Sequence, residues 1–219
     1  MSLITIERRV LEKNDDVAAT NRVCFKKHGL FVFNMVSSPG AGKTSLLEAI
    51  LGEVKDRIPI GVIEGDVQTD LDARRVARFG VPTVQIVTRG GCHLEAALVH
   101  QAIEAMDLSA FRVLVIENVG NLVCPANYDL GEDVKVVVLS TTEGDDKPLK
   151  YPAMFRNAAV LVINKVDLLP YVPCDIETMK RNARQINPAL LIFETSATTG
   201  QGITAFCEWI WSNVGCGHA

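Results

Sequence analysis

The chain lacks the features that direct a protein to a membrane or to nucleic acid. None of its apolar runs approaches the roughly 18 consecutive residues that cross a bilayer as a helix. Its N-terminus has no apolar block of the kind found in secretory signals. The 22 Lys and Arg residues are scattered among 26 Asp and Glu residues, so no basic patch for a nucleic-acid backbone appears. We therefore expect a cytoplasmic protein that binds neither membranes nor nucleic acid.

The chain has no export signal to accompany its six cysteines. Without an export signal these cysteines are expected to remain thiols, which leaves metal binding, catalysis or burial as their roles. Cys24, Cys174 and Cys207 lie within or beside amphipathic helical stretches, and packing in the core explains them best. Cys92 and Cys124 follow predicted strands and are the candidates for chemistry.

The remaining composition is that of an α/β domain with a sizeable core. Of the residues, 48% are hydrophobic and 22% charged, and strand and helix patterns alternate after a helical stretch at residues 10–28. The alternation predicts a doubly wound, mostly parallel seven-stranded sheet with helices on both faces. We expect residues 1–29 to be a helical segment packed on the domain, 30–215 the domain itself and 216–219 a flexible tail. The predicted strands are residues 30–36, 59–63, 83–87, 112–116, 134–140, 158–163 and 190–194.

The strongest functional signal is a glycine-rich turn between the first strand and a helical stretch. Glycines let the backbone approach phosphates, amides at the helix N-terminus point at the oxygens, lysine supplies charge and threonine a magnesium ligand. Ser37 stands where such a loop usually begins with glycine, and we expect an altered turn with binding retained. The strand and helix on either side disfavour a chance match. The predicted phosphate-binding residues are Ser38, Pro39, Gly40, Ala41, Gly42, Lys43, Thr44 and Ser45.

A second motif predicts that the nucleotide is GTP. Asn164, Lys165 and Asp167 follow an apolar strand. An Asp carboxylate accepts hydrogen bonds from guanine N1–H and the 2-amino group, whereas adenine would leave it buried and unpaired. Ser196 and Ala197, after the last strand, match the element whose backbone amide meets the guanine oxygen.

Acidic residues after two other strands are candidates for magnesium binding. Glu117 begins the long loop 117–133, where nucleotide hydrolases present a carboxylate to the metal, although it could instead merely cap the strand. Gly120 would then sense the γ-phosphate. Asp66 could complete the magnesium shell or orient the attacking water, whereas Asp70 is better explained as a helix-start carboxylate. The predicted catalytic residues are Lys43, Asp66, Glu117 and Gly120, with Thr44, Asp66 and Glu117 as magnesium ligands.

Two loops carry candidate ligands for a softer metal. Cys92 and His93 follow one strand and Cys124 another, and both loops should leave the sheet at the nucleotide edge. Two thiolates and an imidazole suit zinc or nickel, and an inter-subunit site on a two-fold axis would supply the missing ligands. Plain burial of the cysteines is the alternative. His100, two turns after His93, is better explained as a structural histidine.

Together these motifs resemble the HypB family of hydrogenase maturation GTPases over residues 10–211. The segments that carry the resemblance are Ser37-Ser38-Pro39-Gly40-Ala41-Gly42-Lys43-Thr44 and residues 65–70, 117–125 and 143–152.

The resemblance implies a P-loop GTPase of the dimerising class that includes signal-recognition GTPases, with a nickel or zinc site at Cys92, His93 and Cys124 near the dimer interface. It also implies GTP-promoted homodimers, nickel insertion into hydrogenase, and as partners a second maturation protein and the hydrogenase large-subunit precursor. Lys147 or Lys150 would reach toward the partner subunit or its nucleotide. Residues 1–29 lack the cysteine-rich or histidine-rich nickel motifs of many relatives, so nickel storage is not expected.

The predicted chemistry is hydrolysis of GTP to GDP and phosphate by an attacking water, with slow turnover because no arginine finger stands out. Two alternatives remain open at this point. One is an accessory GTPase for another metalloenzyme, such as urease or a cobalamin enzyme. The other is a metal-buffering protein in which the nucleotide is structural.

Overall fold

A computed structural model describes residues 6–54, 56–68 and 71–214, with side chains from residue 11 onward. The predicted tail at 216–219 and the candidate Asp70 lie outside these residues. In chain order the strands are β1 Phe31–Ser37, β2 Ile60–Asp66, β3 Thr83–Val87, β4 Val113–Glu117, β5 Val134–Ser140, β6 Val160–Asn164 and β7 Leu191–Glu194. The helices are α1 Ile6–Lys27, α2 Lys43–Val54, α3 Leu71–Ala77, α4 Ala96–Glu104, α5 Lys147–Lys150, α6 Pro152–Arg156, α7 Ile176–Ile186 and α8 Ile203–Asn213.

The strands form one seven-stranded sheet in the order β3-β2-β4-β1-β5-β6-β7. Every neighbouring pair is parallel, so the predicted doubly wound α/β fold is confirmed and the sheet is entirely parallel. All seven residues of β1 are buried, as expected for a strand covered on both faces. Because β1 lies at the centre of the sheet, the loop that follows it opens at the middle of one edge.

One strand end differs from the prediction. The prediction ended the second strand at Ile63 and placed Glu64 and Asp66 in an acidic loop, but β2 continues to Asp66. The ladder to β3 pairs Glu64 with Gln85 and Asp66 with Val87, and these backbone hydrogen bonds extend the strand through polar residues. Glu64 is consequently buried inside the sheet.

Alternate side chains of the strands enter two apolar layers. Phe33 and Met35 of β1 pack in one cluster with Leu47 of α2 and Phe206 of α8. Val32 belongs to a cluster formed with α1 and α4, on the other face of the pleat. A third cluster joins β5 and β6 to α6 and α7. Each fully buried large side chain contributes about 1.5–3 kcal/mol to folding, so these layers hold the strand ends in fixed positions.

Helix α1 lies on α4, and its polar side chains reach the loops beyond β3 and β4. Ala18 and Phe25 are buried on its inner face. The Asn21 amide donates to the carbonyl oxygens of Ala96 (2.9 Å) and Leu130 (3.1 Å). The helix ends at Lys27, two residues before Gly29, whose φ of +65° is left-handed.

Residues 118–133, predicted as a long functional loop, connect β4 to β5 with only one short 3₁₀ turn, Cys124–Ala126. None of the described helices is long and apolar enough to cross a membrane.

Candidate nucleotide and metal site

A cavity of about 550 Å³ opens at the carboxyl ends of the central strands, and most of the predicted nucleotide-site residues line it. Those it brings together are Pro39, Gly40, Gly42, Lys43, Thr44, Ser45, Asp66, Glu117, Gly120 and Lys165. The arrangement follows from the sheet order, because β1, β2 and β4 are neighbours and their parallel strands end at the same edge.

The glycine-rich turn has the backbone geometry that a phosphate loop needs. Gly40 and Gly42 have φ values of +78° and +91°, which side chains rarely adopt. A Cβ on Gly42 would lie 2.7 Å from the amide nitrogen of Asn164, so that position also needs glycine for close packing. Ser37 replaces the usual first glycine, and its hydroxyl lies 3.1 Å from the Lys43 ammonium. The serine is therefore accommodated at the end of β1.

Oxygen ligands converge beside this turn. The Thr44 hydroxyl donates to Glu117 Oε1 at 2.8 Å, and the Lys43 ammonium lies 3.9 Å from the same oxygen. Glu117 Oε2 is buried and accepts no hydrogen bond from the described residues. Asp66 lines the same cavity, with Oδ1 accepting from the Val67 amide. The Thr44 hydroxyl and the carboxylates of Glu117 and Asp66 fit Mg²⁺, which prefers hard oxygen ligands.

Two carboxyls are paired across neighbouring strands at this point. Glu64 of β2 lies beside Glu117 of β4 in the register. Burial, followed by the charge of Glu117, raises the pKa of Glu64 to about 10. Burial also raises the pKa of Glu117, against the opposing effect of Lys43. The Glu64 carboxyl is therefore neutral near pH 7, and the Lys43 ammonium is the charged group that favours ionisation of Glu117.

The predicted guanine-recognition residues lie beside the phosphate loop. Asn164 donates to the Ala41 carbonyl (3.1 Å) and its oxygen accepts from the Ala197 amide (3.3 Å). The Lys165 ammonium donates to the Gly40 carbonyl at 2.7 Å, and its backbone φ of +62° turns the chain into the 3₁₀ segment that holds Asp167. Asp167 Oδ1 is buried and has no hydrogen-bond partner within the described ranges. An unpaired carboxylate oxygen here fits the two donors of a guanine edge.

Ser196 is fully buried, and Ser38 lies in the phosphate loop. The Ser196 hydroxyl accepts from the Thr199 amide at 3.1 Å and so shapes the turn after β7. The Ser38 hydroxyl accepts from the Lys147 ammonium at 3.4 Å. Lys147 thus contacts the phosphate loop of its own chain, whereas Lys150 pairs with Asp146 on the surface.

The three predicted soft-metal ligands meet within 4.8 Å of one another. The Cys92 and Cys124 sulfurs lie 2.8 Å apart, and His93 Nδ1 lies 3.5 Å from the Cys92 sulfur. The hydrogen bond with Cys124 raises the pKa of the Cys92 thiol, and burial lowers the pKa of His93. A neutral imidazole and two thiols that release protons on binding suit zinc or nickel. No other such cluster occurs in the part of the chain that the structure describes.

The other sulfur and imidazole candidates lie elsewhere. Cys207 is buried in the core, and Cys24 and Cys174 are partly buried against apolar clusters. His100 Nδ1 lies 2.8 Å from the Asn21 oxygen, in the packing between α1 and α4. The structural interpretation of these side chains therefore agrees with their contacts.

Several residues around the cavity were missed from the sequence. Arg75 lines it and binds Glu48, Asp72 and the Ser45 hydroxyl. The spacing of Asp72 and Arg75 on one helix face was the available signal. Asn118 and Asn121, which connect the two ligand-bearing loops, gave no signal because their partners are distant in sequence.

Comparison with known proteins identifies relatives over nearly the whole chain. Residues 31–194 match the family described as CobW/HypB/UreG, nucleotide-binding domain. The hydrogenase maturation factor HypB of Rhizobium leguminosarum bv. viciae is 50% identical over 208 residues, covering 95% of this chain and 70% of the relative. The crystal structure of HypB from Helicobacter pylori in complex with nickel superposes with a TM-score of 0.87 at 38% identity, covering 94% of this chain and 99% of that one. HypB from Archaeoglobus fulgidus gives the same TM-score and identity, covering 93% and 99%.

Proposed function

Because the chain belongs to the HypB hydrogenase maturation factors of the CobW/HypB/UreG family, we propose that it hydrolyses GTP and uses the nucleotide cycle to control nickel for [NiFe]-hydrogenase maturation. The observation that carries this proposal is the shared segment between the two sites. Glu117 and Gly120 line the nucleotide cavity, and Cys124 of the same loop joins Cys92 and His93. A ligand at one site therefore contacts the same loop that supplies a ligand to the other site.

Asp167 would select guanine, because its carboxylate, with one unpaired oxygen, can accept hydrogen bonds from the two donors of the base. Asn164 braces the base pocket against the phosphate loop. Lys43 and the loop amides hold the phosphates, and Thr44 and Glu117 would hold magnesium, which neutralises charge developing on the phosphate oxygens. Asp66, which lines the same cavity, would complete the magnesium shell or orient the attacking water. Arg75 is engaged by two carboxylates, and turnover is expected to be slow.

The metal is cargo in this proposal. Three ligands are one short of a closed tetrahedral site, so a second copy of the chain would complete the shell in a GTP-promoted homodimer. Release of the cargo to a maturation partner or to the hydrogenase precursor would follow hydrolysis, which separates the copies.

Turnover and biological specificity test the proposal together. Phosphate release from GTP would be measured with magnesium, with and without nickel, for the parent chain and for Glu117→Gln. We expect slow turnover in the parent and a loss of at least about 10²-fold in the variant, because a neutral amide replaces the carboxylate that would hold magnesium against the phosphates. Complementation should restore hydrogenase activity and leave urease unaffected. Absence of phosphate release at every protein concentration, or rescue of urease alone, contradicts the proposal.

A further inference from the structure

We propose that Asn118 is the positioning residue that couples the two sites, because its side chain ties the segment facing the nucleotide to the turn carrying Cys92 and His93. The inference rests on the proposed function, since it names the residue through which the nucleotide would act on the metal ligands.

Asn118 is buried, with 1% of its surface exposed, directly after Glu117 at the end of β4. Its Oδ1 accepts hydrogen bonds from the backbone amides of Leu94 (3.1 Å) and Val119 (2.9 Å). Leu94 is the next residue after His93. The two amide donors also fix the orientation of the side chain, since only its oxygen can accept from both.

The side-chain nitrogen of Asn118 extends the hydrogen-bonded chain toward the centre of the sheet. Asn118 Nδ2 donates to Asn34 Oδ1 (3.2 Å), and Asn34 Nδ2 donates to Glu132 Oε1 (3.1 Å). That carboxyl lies 3.8 Å from the ammonium of Lys135. All four side chains are buried.

Lys135 completes the connection at the second metal loop. Its ammonium donates to the carbonyl oxygens of Pro125 (3.0 Å), Ala126 (3.3 Å) and Tyr128 (3.1 Å). Pro125 and Ala126 belong to the turn that begins at Cys124, and Tyr128 follows it closely. One buried polar chain therefore runs from the residue after His93, through β1, to the turn that begins at Cys124.

Asn118 also belongs to the segment 117–120, which lies next to the phosphate loop. Glu117 accepts from the Thr44 hydroxyl, and a Cβ on Gly120 would lie 3.2 Å from Pro39. A γ-phosphate or magnesium that displaces residues 117–120 would therefore move Asn118. Leu94 would have to move with Asn118, because the buried backbone amide of Leu94 would otherwise lose its only side-chain acceptor.

Asn121 offers a contrasting variant in the same loop. Its Nδ2 donates to the Cys92 carbonyl (3.0 Å) and its Oδ1 accepts from the Val123 amide (2.8 Å). It holds the metal loops together locally and does not contact the buried chain. Asn121→Ala should weaken nickel binding equally in both nucleotide states.

The test is the nickel dissociation constant measured with GDP and with a non-hydrolysable GTP analogue, by competition of nickel chloride with a chromophoric chelator. The parent should show a ratio within the usual range for coupled sites, about 5-fold to 150-fold. Asn118→Ala should bring the ratio to within about twofold of unity while still binding nickel. Asn187→Ala, which removes an asparagine that binds the Phe155 and Ala158 carbonyls, is the matched control and should keep the parent ratio.

A folded Asn118→Ala chain that retains the parent ratio overturns the inference and leaves the proposed function standing. A parent chain that binds nickel with one affinity in both states also overturns it. A parent chain that binds no nickel refutes the proposed function as well.

Amide hydrogen exchange on the parent chain keeps the inference testable if Asn118→Ala does not fold. Protection of the Leu94 amide should differ between the GDP and analogue states. Identical protection of that amide in both states overturns the inference.

Discussion

At the scale of single residues, the side chains of the nucleotide site could be predicted because short motifs impose their geometry. Lys43 and Asp167 occupy fixed places relative to a strand end, so spacing alone located them. Asn118 and Lys135 could not be found this way, because the partners of Asn118 on other elements lie 24 and 84 residues away and those of Lys135 up to 10 residues away. Their role depends on which strands are neighbours.

Asp167 carries the first residue-scale prediction. Asp167→Asn should weaken GTP binding by roughly 10²-fold or more, because two charge-assisted hydrogen bonds to guanine are lost at about 1–3 kcal/mol each. Xanthosine triphosphate should bind the variant better than the parent, since the new amide can donate to the xanthine oxygen. Titration with a fluorescent nucleotide measures both changes.

Asp175→Asn is the control for that measurement, because Asp175 caps an exposed helix end away from the cavity. Equal GTP affinity in the parent and in Asp167→Asn would refute the assignment of the guanine pocket.

Glu64 carries the second residue-scale prediction, which concerns pH. The folded chain holds a proton on Glu64 up to about pH 10, whereas the unfolded chain releases it near the ordinary value of 4.5. The parent therefore loses stability as the pH rises within that window. Glu64→Gln has no carboxyl to ionise and nearly the same shape, so the variant should gain stability over the parent as the pH rises, up to about 5 kcal/mol at pH 8.

Urea unfolding from pH 5 to pH 9, with a chelator and without nucleotide, measures this difference. The difference in the free energy of unfolding between Glu64→Gln and the parent should be small at pH 5 and increase as the pH rises. A difference that shrinks with pH would show that Glu64 is ionised in the folded chain.

At the scale of elements, the seven strands were predictable because strands covered on both faces are continuous apolar runs. The end of β2 was not, since Glu64 and Asp66 are polar and only the ladder to β3 makes them part of a strand. Helix α1 was predicted as a helix, but its polar contacts to the metal loops were invisible in the sequence.

Helix α1 supports the loops through two asparagines. Asn14 donates to the Asp129 carbonyl and accepts from the Ala96 amide, and Asn21 binds the carbonyls of Ala96 and Leu130. Asn21→Ala should destabilise the chain by about 1–3 kcal/mol, because buried carbonyls lose their donor. It should also weaken nickel binding, since both loops lose a common support.

Thr20→Ala tests the same helix on its exposed face, where the hydroxyl bonds only locally to the Asp16 carbonyl. Thermal unfolding and nickel titration of both variants separate the two faces. If Asn21→Ala matched Thr20→Ala in both measurements, α1 would have no part in shaping the loops.

At the scale of the whole molecule, the sheet order brings two chemistries to one edge. β3, β2, β4 and β1 are neighbours, so the acidic, phosphate-binding and thiol-bearing loops leave the sheet together. The sequence predicted the common edge, because parallel strands of a doubly wound sheet end on one side. The contact between Cys92 and Cys124 could not be predicted from the sequence, because it depends on the folded path of residues 118–133.

The most direct test of a nickel site joined to a nucleotide site is equilibrium binding of nickel to the full chain. Binding is monitored by the thiolate-to-nickel charge-transfer absorption. We predict that the parent binds nickel with this absorption, that Cys92→Ala and Cys124→Ala each abolish it, and that Cys174→Ala retains it. Nickel content and absorption unchanged in both Cys92→Ala and Cys124→Ala would contradict the assignment of the metal site.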